Sequence, residues 1–216
     1  MATATLLIPL VAPLQCWGLD SRFDHRHTAA EPSKSGVLGL LCAALGRDRA
    51  QPVADLAALR MGVRVDRPGV LVRDYHTALD VAAAAGGPLA TVVSHRWYLA
   101  DATFLCGLEG DAALLRVVHQ ALREPRWPVF LGRKSCVPSV PLHLPGGLLP
   151  LPLEPALAAH PPLTAQAAAA QMHCVIEDPE GPQFRPDQPL GNFDNRHFGH
   201  RRVRTTFAPW NSPASS

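Results

Sequence analysis

The 216-residue chain lacks most of the features that would assign it at a glance. Aromatic residues are 6% of it, and 20 Lys and Arg against 18 Asp and Glu leave a net charge of only +2. So small an excess does not by itself point to a nucleic-acid partner. A polyanion would have to be met by local patches, to which the ten histidines can add. Cysteine is sparse: Cys16, Cys42, Cys106, Cys136 and Cys174 are odd in number, far apart and without a CxxC pair. That pattern argues against a zinc site or a disulfide framework and for a reducing, cytoplasmic setting. No metal and no cofactor are expected. Long apolar runs are missing too. The opening "MATATLLIPLVAPLQCWG" is broken by Pro9 and Pro13, is too short for a bilayer and has no basic start of a secretory signal. It reads as a first strand, and no membrane partner is expected.

What is present is ample core material, 47% hydrophobic, enough for one elaborated domain or two small ones. After the first strand, "LDSRFDHRHTAAEPS" is polar, carries Arg22, His25, Arg26 and His27, and has no apolar period, so it reads as a loop. Ser33 or Ser35 should cap a helix running to about Leu45, with Gly46 as its stop. A second short helix is expected over Pro52 to Arg60. Residues 66–98 alternate on both sides of a Gly86-Gly87-Pro88 bend and read as a protruding hairpin. "YLADATFLCGLEG" reads as the next strand, and Asp111 should cap a helix with Leu114, Leu115, Val118 and Leu122 in one stripe. The resulting order suits an α+β, ferredoxin-like βαββαβ core with an inserted hairpin. We expect residues 1–144 to hold that core. Residues 145–210 would be a linker and a small second sheet built from "MHCVIEDPEG" and "HFGHRRVRTTFAPW", and 211–216 a disordered tail.

Three clusters carry chemistry. In "SKSGVLGLLCAALG" the lysine precedes the glycine, so neither the GxxxxGK[ST] phosphate loop nor GxGxxG is satisfied. What remains is a helix start where the unpaired N–H groups with Lys34, Ser33 and Ser35 could favour an anion, or simply a capped core helix. In "RDYHT", alternation puts Arg73, Tyr75 and Thr77 on one face and Asp74 with His76 on the other. Such a strand can grip a phosphate and stack a base. A His76–Tyr75 pair could instead cleave RNA by acid–base chemistry, or merely anchor a hairpin. On the return limb, Arg96 and Trp97 should face opposite ways. "FLGRKSCVP" sets Arg133, Lys134 and Ser135 beside Gly132 in a loop between prolines, which is either a sugar–phosphate donor cluster or a solvated charge pair.

Taken together, "PLQCWG", "PSKSGVLGLLCAALG", "RDYHT", "RWYLADATF" and "FLGRKSCVP" resemble, in order and spacing, the Cas-five family of the RAMP superfamily found in type I-E CRISPR Cascade complexes. The resemblance covers roughly residues 5–140 and is weaker beyond Pro141. It implies a ferredoxin-like RAMP domain with a hairpin thumb and a smaller C-terminal β part. It also implies a non-catalytic antiviral subunit that holds the 5′ handle of the crRNA beside the backbone and large PAM-reading subunits, meeting target DNA only indirectly. The RNA-binding positions it implies are Trp17, Gly18, Arg22, Lys34, Ser35, Gly36, Arg73, Tyr75, His76, Thr77, Arg96, Arg133, Lys134 and Ser135. The alternative is a metal-independent endoribonuclease of the type I-C kind, using His76 and Tyr75 with Lys34 or Lys134.

Overall fold

A computed structural model describes residues 2–19, 25–82, 86–165 and 172–208. In chain order its elements are β1 (Thr3–Val11), β2 (Leu14–Gln15), β3 (His25–Arg26), α1 (Lys34–Leu45), α2 (Ala54–Ala57), β4 (Arg60–Arg67), β5 (Val70–Val81) and β6 (Ala90–Ala100). There follow β7 (Thr103–Asp111), α3 (Ala112–Arg123), β8 (Leu148–Leu149), α4 (Leu153–Ala159), β9 (Met172–Glu177), β10 (Gln183–Pro189) and β11 (Phe198–Ala208).

The first strand is apolar without alternation, so it can only sit where both faces are covered, and residues 4–10 are all buried. It pairs antiparallel with β7 and β8 inside a seven-stranded sheet ordered β10-β11-β9-β4-β7-β1-β8. On one face lie α1 and α3, whose Leu38, Leu41, Leu115 and Val118 join the main core. The caps of α1 are those its sequence calls for. Ser33 Oγ accepts from the Gly36 N–H at 3.3 Å, and Gly46 at φ 68 closes the end with Arg47 N–H donating to the Cys42 carbonyl. Asp111 caps α3 by accepting from the Leu114 N–H at 2.9 Å. On the opposite face α4 lies across β4 and β7, where paired Gly62 and Gly107 leave a flat bed. A methyl group on either would stand within about 3 Å of Leu153 or Leu157.

Several sequence expectations are corrected. The short helix α2 covers four residues because the chain turns into β4 at Arg60. "YLADATFLCGLEG" is two strands: Asp101, at φ 57, turns the chain between β6 and β7. Residues 145–165 are no plain linker, since they supply β8 and α4. The C-terminal strands form no separate sheet. Instead β9 pairs with β4 and extends the main sheet. The second sheet is the hairpin: β5 pairs with β6, and β6 pairs along its other edge with β2 at Leu99–Ala100 and with β3 at His95–Arg96. The tail 211–216 lies outside the described residues.

Candidate nucleic-acid interface

Two surfaces meet at Arg133. The first is a cleft of about 610 Å³ between the α1 start, the segment around Trp17 and the 127–133 loop. It is lined by Gly18, Arg26, His27, Ser35, Gly36 and Arg133 among others. Trp17 forms its wall without being open to it: the ring is 1% exposed, and its Nε1–H donates to Gln15 Oε1 at 3.1 Å. Gly36 is required there, because an added Cβ would stand 2.9 Å from both the Trp17 ring and Ser33 Oγ. Gly132, at φ 104, brings the 130s loop against the Cys16 carbonyl. Burial raises the thiols of Cys16 and Cys136 beneath this loop, which leaves them as small neutral packing groups. Arg47 also lines the cleft, but its guanidinium is bidentate to Asp55 at 2.6 and 2.9 Å, which neutralises it.

The second surface is the hairpin. Register places Arg73 opposite Trp97 and Tyr75 opposite His95, so these side chains share one face with Thr77. Rings crowd this face: His25 and His95 are 5.3 Å apart, His95 and Tyr75 5.4 Å, and His27 and Trp97 6.4 Å, with the Arg73 guanidinium 5.8 Å from the Trp97 ring. The other face carries Asp74, His76, Ser94, Arg96 and Tyr98. Arg96 Nε–H donates to Ser94 Oγ at 3.0 Å, and His76 lies 3.7 Å from the Asp74 carboxylate.

Arg133 joins the two surfaces. Its guanidinium donates to the carbonyls of Trp97 at 3.0 Å and Arg26 at 2.8 Å and covers the Tyr98 ring at 4.6 Å. It fills the gap along β6 between the stretches paired by β2 and β3. Lys134 and Ser135 follow it, exposed, with Ser135 Oγ 3.5 Å from the Tyr98 hydroxyl.

Lys34 is elsewhere. Its side chain is 1% exposed, with Nζ 3.0 Å from both carboxylate oxygens of Glu177. Its backbone N–H donates to Asp187 Oδ2 at 2.7 Å, and Arg201 clasps the same Asp187 at 2.7 and 3.0 Å. Burial pushes the Lys34 ammonium below the ordinary lysine value, with Glu177 opposing. The anion expected at the α1 start is therefore the protein's own Asp187, and the role of Lys34 there is internal. This corrects its expected place in the groove. Nor do the remaining residues share one face: Arg73, Tyr75 and Thr77 lie across the hairpin from His76 and Arg96. Arg22 falls outside the described residues.

Arg26, His27, His95, Trp97 and Tyr98 also belong to these surfaces and are not among the expected site residues. Alternation marks three of them, since His25 and His27, and His95 and Trp97, are i, i+2 pairs, whereas nothing local marks Arg26 and Tyr98. Among the described residues no cluster of three or more His, Cys, Asp or Glu could hold a metal ion, and no helix is long and apolar enough to cross a membrane.

The family described as CRISPR-associated protein (Cas_Cas5) matches residues 5–204. The CRISPR system Cascade subunit CasD of Escherichia coli (strain K12) is 34% identical over 155 residues, 64% of this chain and 69% of CasD. A crystal structure of a Cas protein is 48% identical, with a TM-score of 0.80 and 95% of each chain covered. A chain from a CRISPR RNA-guided surveillance complex is 32% identical, with a TM-score of 0.79 over 94% of this chain and 90% of that one.

Proposed function

This chain belongs to the CRISPR-associated Cas5 family, and from that premise we propose that it is the RNA-binding subunit of a Cascade-type surveillance complex, holding the 5′ handle of the crRNA without cutting it. Its partners are then the crRNA and the other subunits, with target DNA met through them. The observation that carries the reading is the position of Arg133. One guanidinium ties the cleft wall to the ring-bearing hairpin, so a single strand can run from one to the other past exposed cationic and aromatic groups.

The same geometry supports a binder over a nuclease. Tyr75 and His76 are adjacent on β5 and point to opposite faces, and the Lys34 ammonium is engaged by Glu177. These three groups do not meet on one phosphodiester. We also read the fold as the ferredoxin-like RAMP layout. In support, β1-α1-β4 and β7-α3-β8 form two βαβ halves whose strands are ordered β4-β7-β1-β8, with β5–β6 as the inserted thumb and β9–β11 as a C-terminal addition.

The test is to express the chain with its neighbouring subunits and a repeat–spacer array, then sequence the RNA that co-purifies. A population with one uniform 5′ end supports the reading, and random RNA rejects it. Incubating the purified chain with repeat RNA in EDTA should leave the RNA intact. A discrete product that His76→Ala abolishes would establish the nuclease instead.

A further inference from the structure

We propose that His27 and Trp97 are the two walls of a seat for one unstacked RNA base, its width set by Arg133. This rests on the reading that the chain binds single-stranded RNA. The two rings lie 6.4 Å apart between centroids and 15° from parallel. Successive bases stack about 3.4 Å apart, so a base held between two parallel rings needs a gap of about 7 Å. The centroid separation is the most that the two planes can be apart, so the rings have to part by at least a few tenths of an ångström to admit a base. The neighbouring contacts, His25 to His95 at 5.3 Å and His95 to Tyr75 at 5.4 Å, are too close to admit a base.

The gap is built rather than incidental. Arg133 donates to the Trp97 carbonyl and to the carbonyl of Arg26, the residue next to His27, so one side chain holds both walls at the backbone. The segment after His27 is fixed as well, because Trp17 N–H donates to Thr28 Oγ1 at 2.8 Å and Ala29 N–H to the Trp17 carbonyl at 2.7 Å. His27 is exposed and also lines the cleft, so that wall of the seat borders it. Behind Trp97 the Arg73 guanidinium, 5.8 Å from the ring, adds the cation that a stacked base and its phosphate favour. A similar spacing between His25 and His27, 6.4 Å at 18°, continues the row, but the indole offers the larger face.

The probe is a synthetic RNA matching the repeat-derived 5′ segment, with 2-aminopurine placed at each position in turn and titrated with the full chain. Quenching concentrated at one position is expected. Trp97→Leu should relieve it and weaken binding about 5- to 100-fold, the loss of one stacked base. Trp97→Phe should restore most of both, and circular dichroism should show the two variants folded. The slope of log affinity on log salt should stay the same in Trp97→Leu, since no phosphate contact is removed. If Trp97→Leu binds and quenches like the parent while Arg133→Ala still weakens binding, the seat is overturned and the RNA-binding reading stands. If the unaltered chain does not bind the RNA, both fall.

Discussion

The Lys34 ammonium and the Glu177 carboxylate are 143 positions apart in the chain and 3.0 Å apart in space. With Asp187 and Arg201 they form a largely buried network that fastens the start of α1 to β9, β10 and β11. Breaking one member of such a network leaves its partner uncompensated. Lys34→Met should therefore destabilise the chain by about 3–5 kcal/mol in urea unfolding. Measured where the variant is still folded, RNA affinity should be unchanged. A variant as stable as the parent that loses RNA would return Lys34 to the interface.

Arg133 and Lys134 are adjacent cations with different surroundings. Arg133 holds two carbonyls and a ring, whereas Lys134 is exposed. Arg133→Ala should weaken RNA binding about tenfold or more and lower the salt slope by about 1. Arg133→Lys should rescue little, since an ammonium cannot bridge both carbonyls in the plane of a guanidinium. Lys134→Ala should cost at most one phosphate contact. Filter binding across a salt series separates the three, and equal losses at the two positions would contradict the bridging role.

Gly132 has φ 104, and a Cβ there would stand 1.8 Å from the Cys16 carbonyl oxygen. Gly132→Ala should force the 130s loop off the cleft wall, at a cost of about 1–3 kcal/mol in stability and with loss of RNA affinity. Gly86→Ala is the control for backbone strain alone: φ is also positive there, at 77, but among the described residues nothing lies within 4 Å. It should leave affinity intact.

Burial pushes the thiols of Cys42 and Cys174 up to about 11 and that of Cys106 to about 12. The unfolded thiols ionise near pH 8.5, so the folded chain keeps protons that the unfolded chain gives up. The sign follows. This stability is fully present below about pH 8.5 and is lost as pH rises toward the folded values, at up to about 1.4 kcal/mol per pH unit for each thiol. Urea unfolding at pH 8, 9 and 10 should show the decline, and Cys106→Ala should flatten it by one thiol's share. An unchanged slope in that variant would contradict the assignment.

Features fixed by neighbours in the chain were legible in the sequence. Ser33, Gly46 and Asp111 cap their helices as local chemistry requires, and alternation sorted Arg73 and Tyr75 from His76 and Arg96 from Trp97. Features fixed by distant partners were not. Nothing near Lys34 announces Glu177 or Asp187, so a lysine at a helix start looks solvent-bound until β9 and β10 are placed. The same holds for the sheet: β9 reads equally well as the start of a new sheet or as the neighbour of β4, and pairing alone decides. The ring face of the hairpin also needed three separate segments to be brought together.

One of the hairpin's two connections to the main sheet is a very short corner. Strand β6 ends at Ala100 and β7 begins at Thr103, with Asp101 N–H donating to the Pro13 carbonyl at 3.0 Å between them. Strand β7 lies between β4 and β1 in the main sheet. A load on the hairpin is therefore delivered within two residues to a central strand, with no slack loop to absorb it. The corner at Asp101 serves as a fulcrum, and whatever grips the hairpin pulls directly on the core.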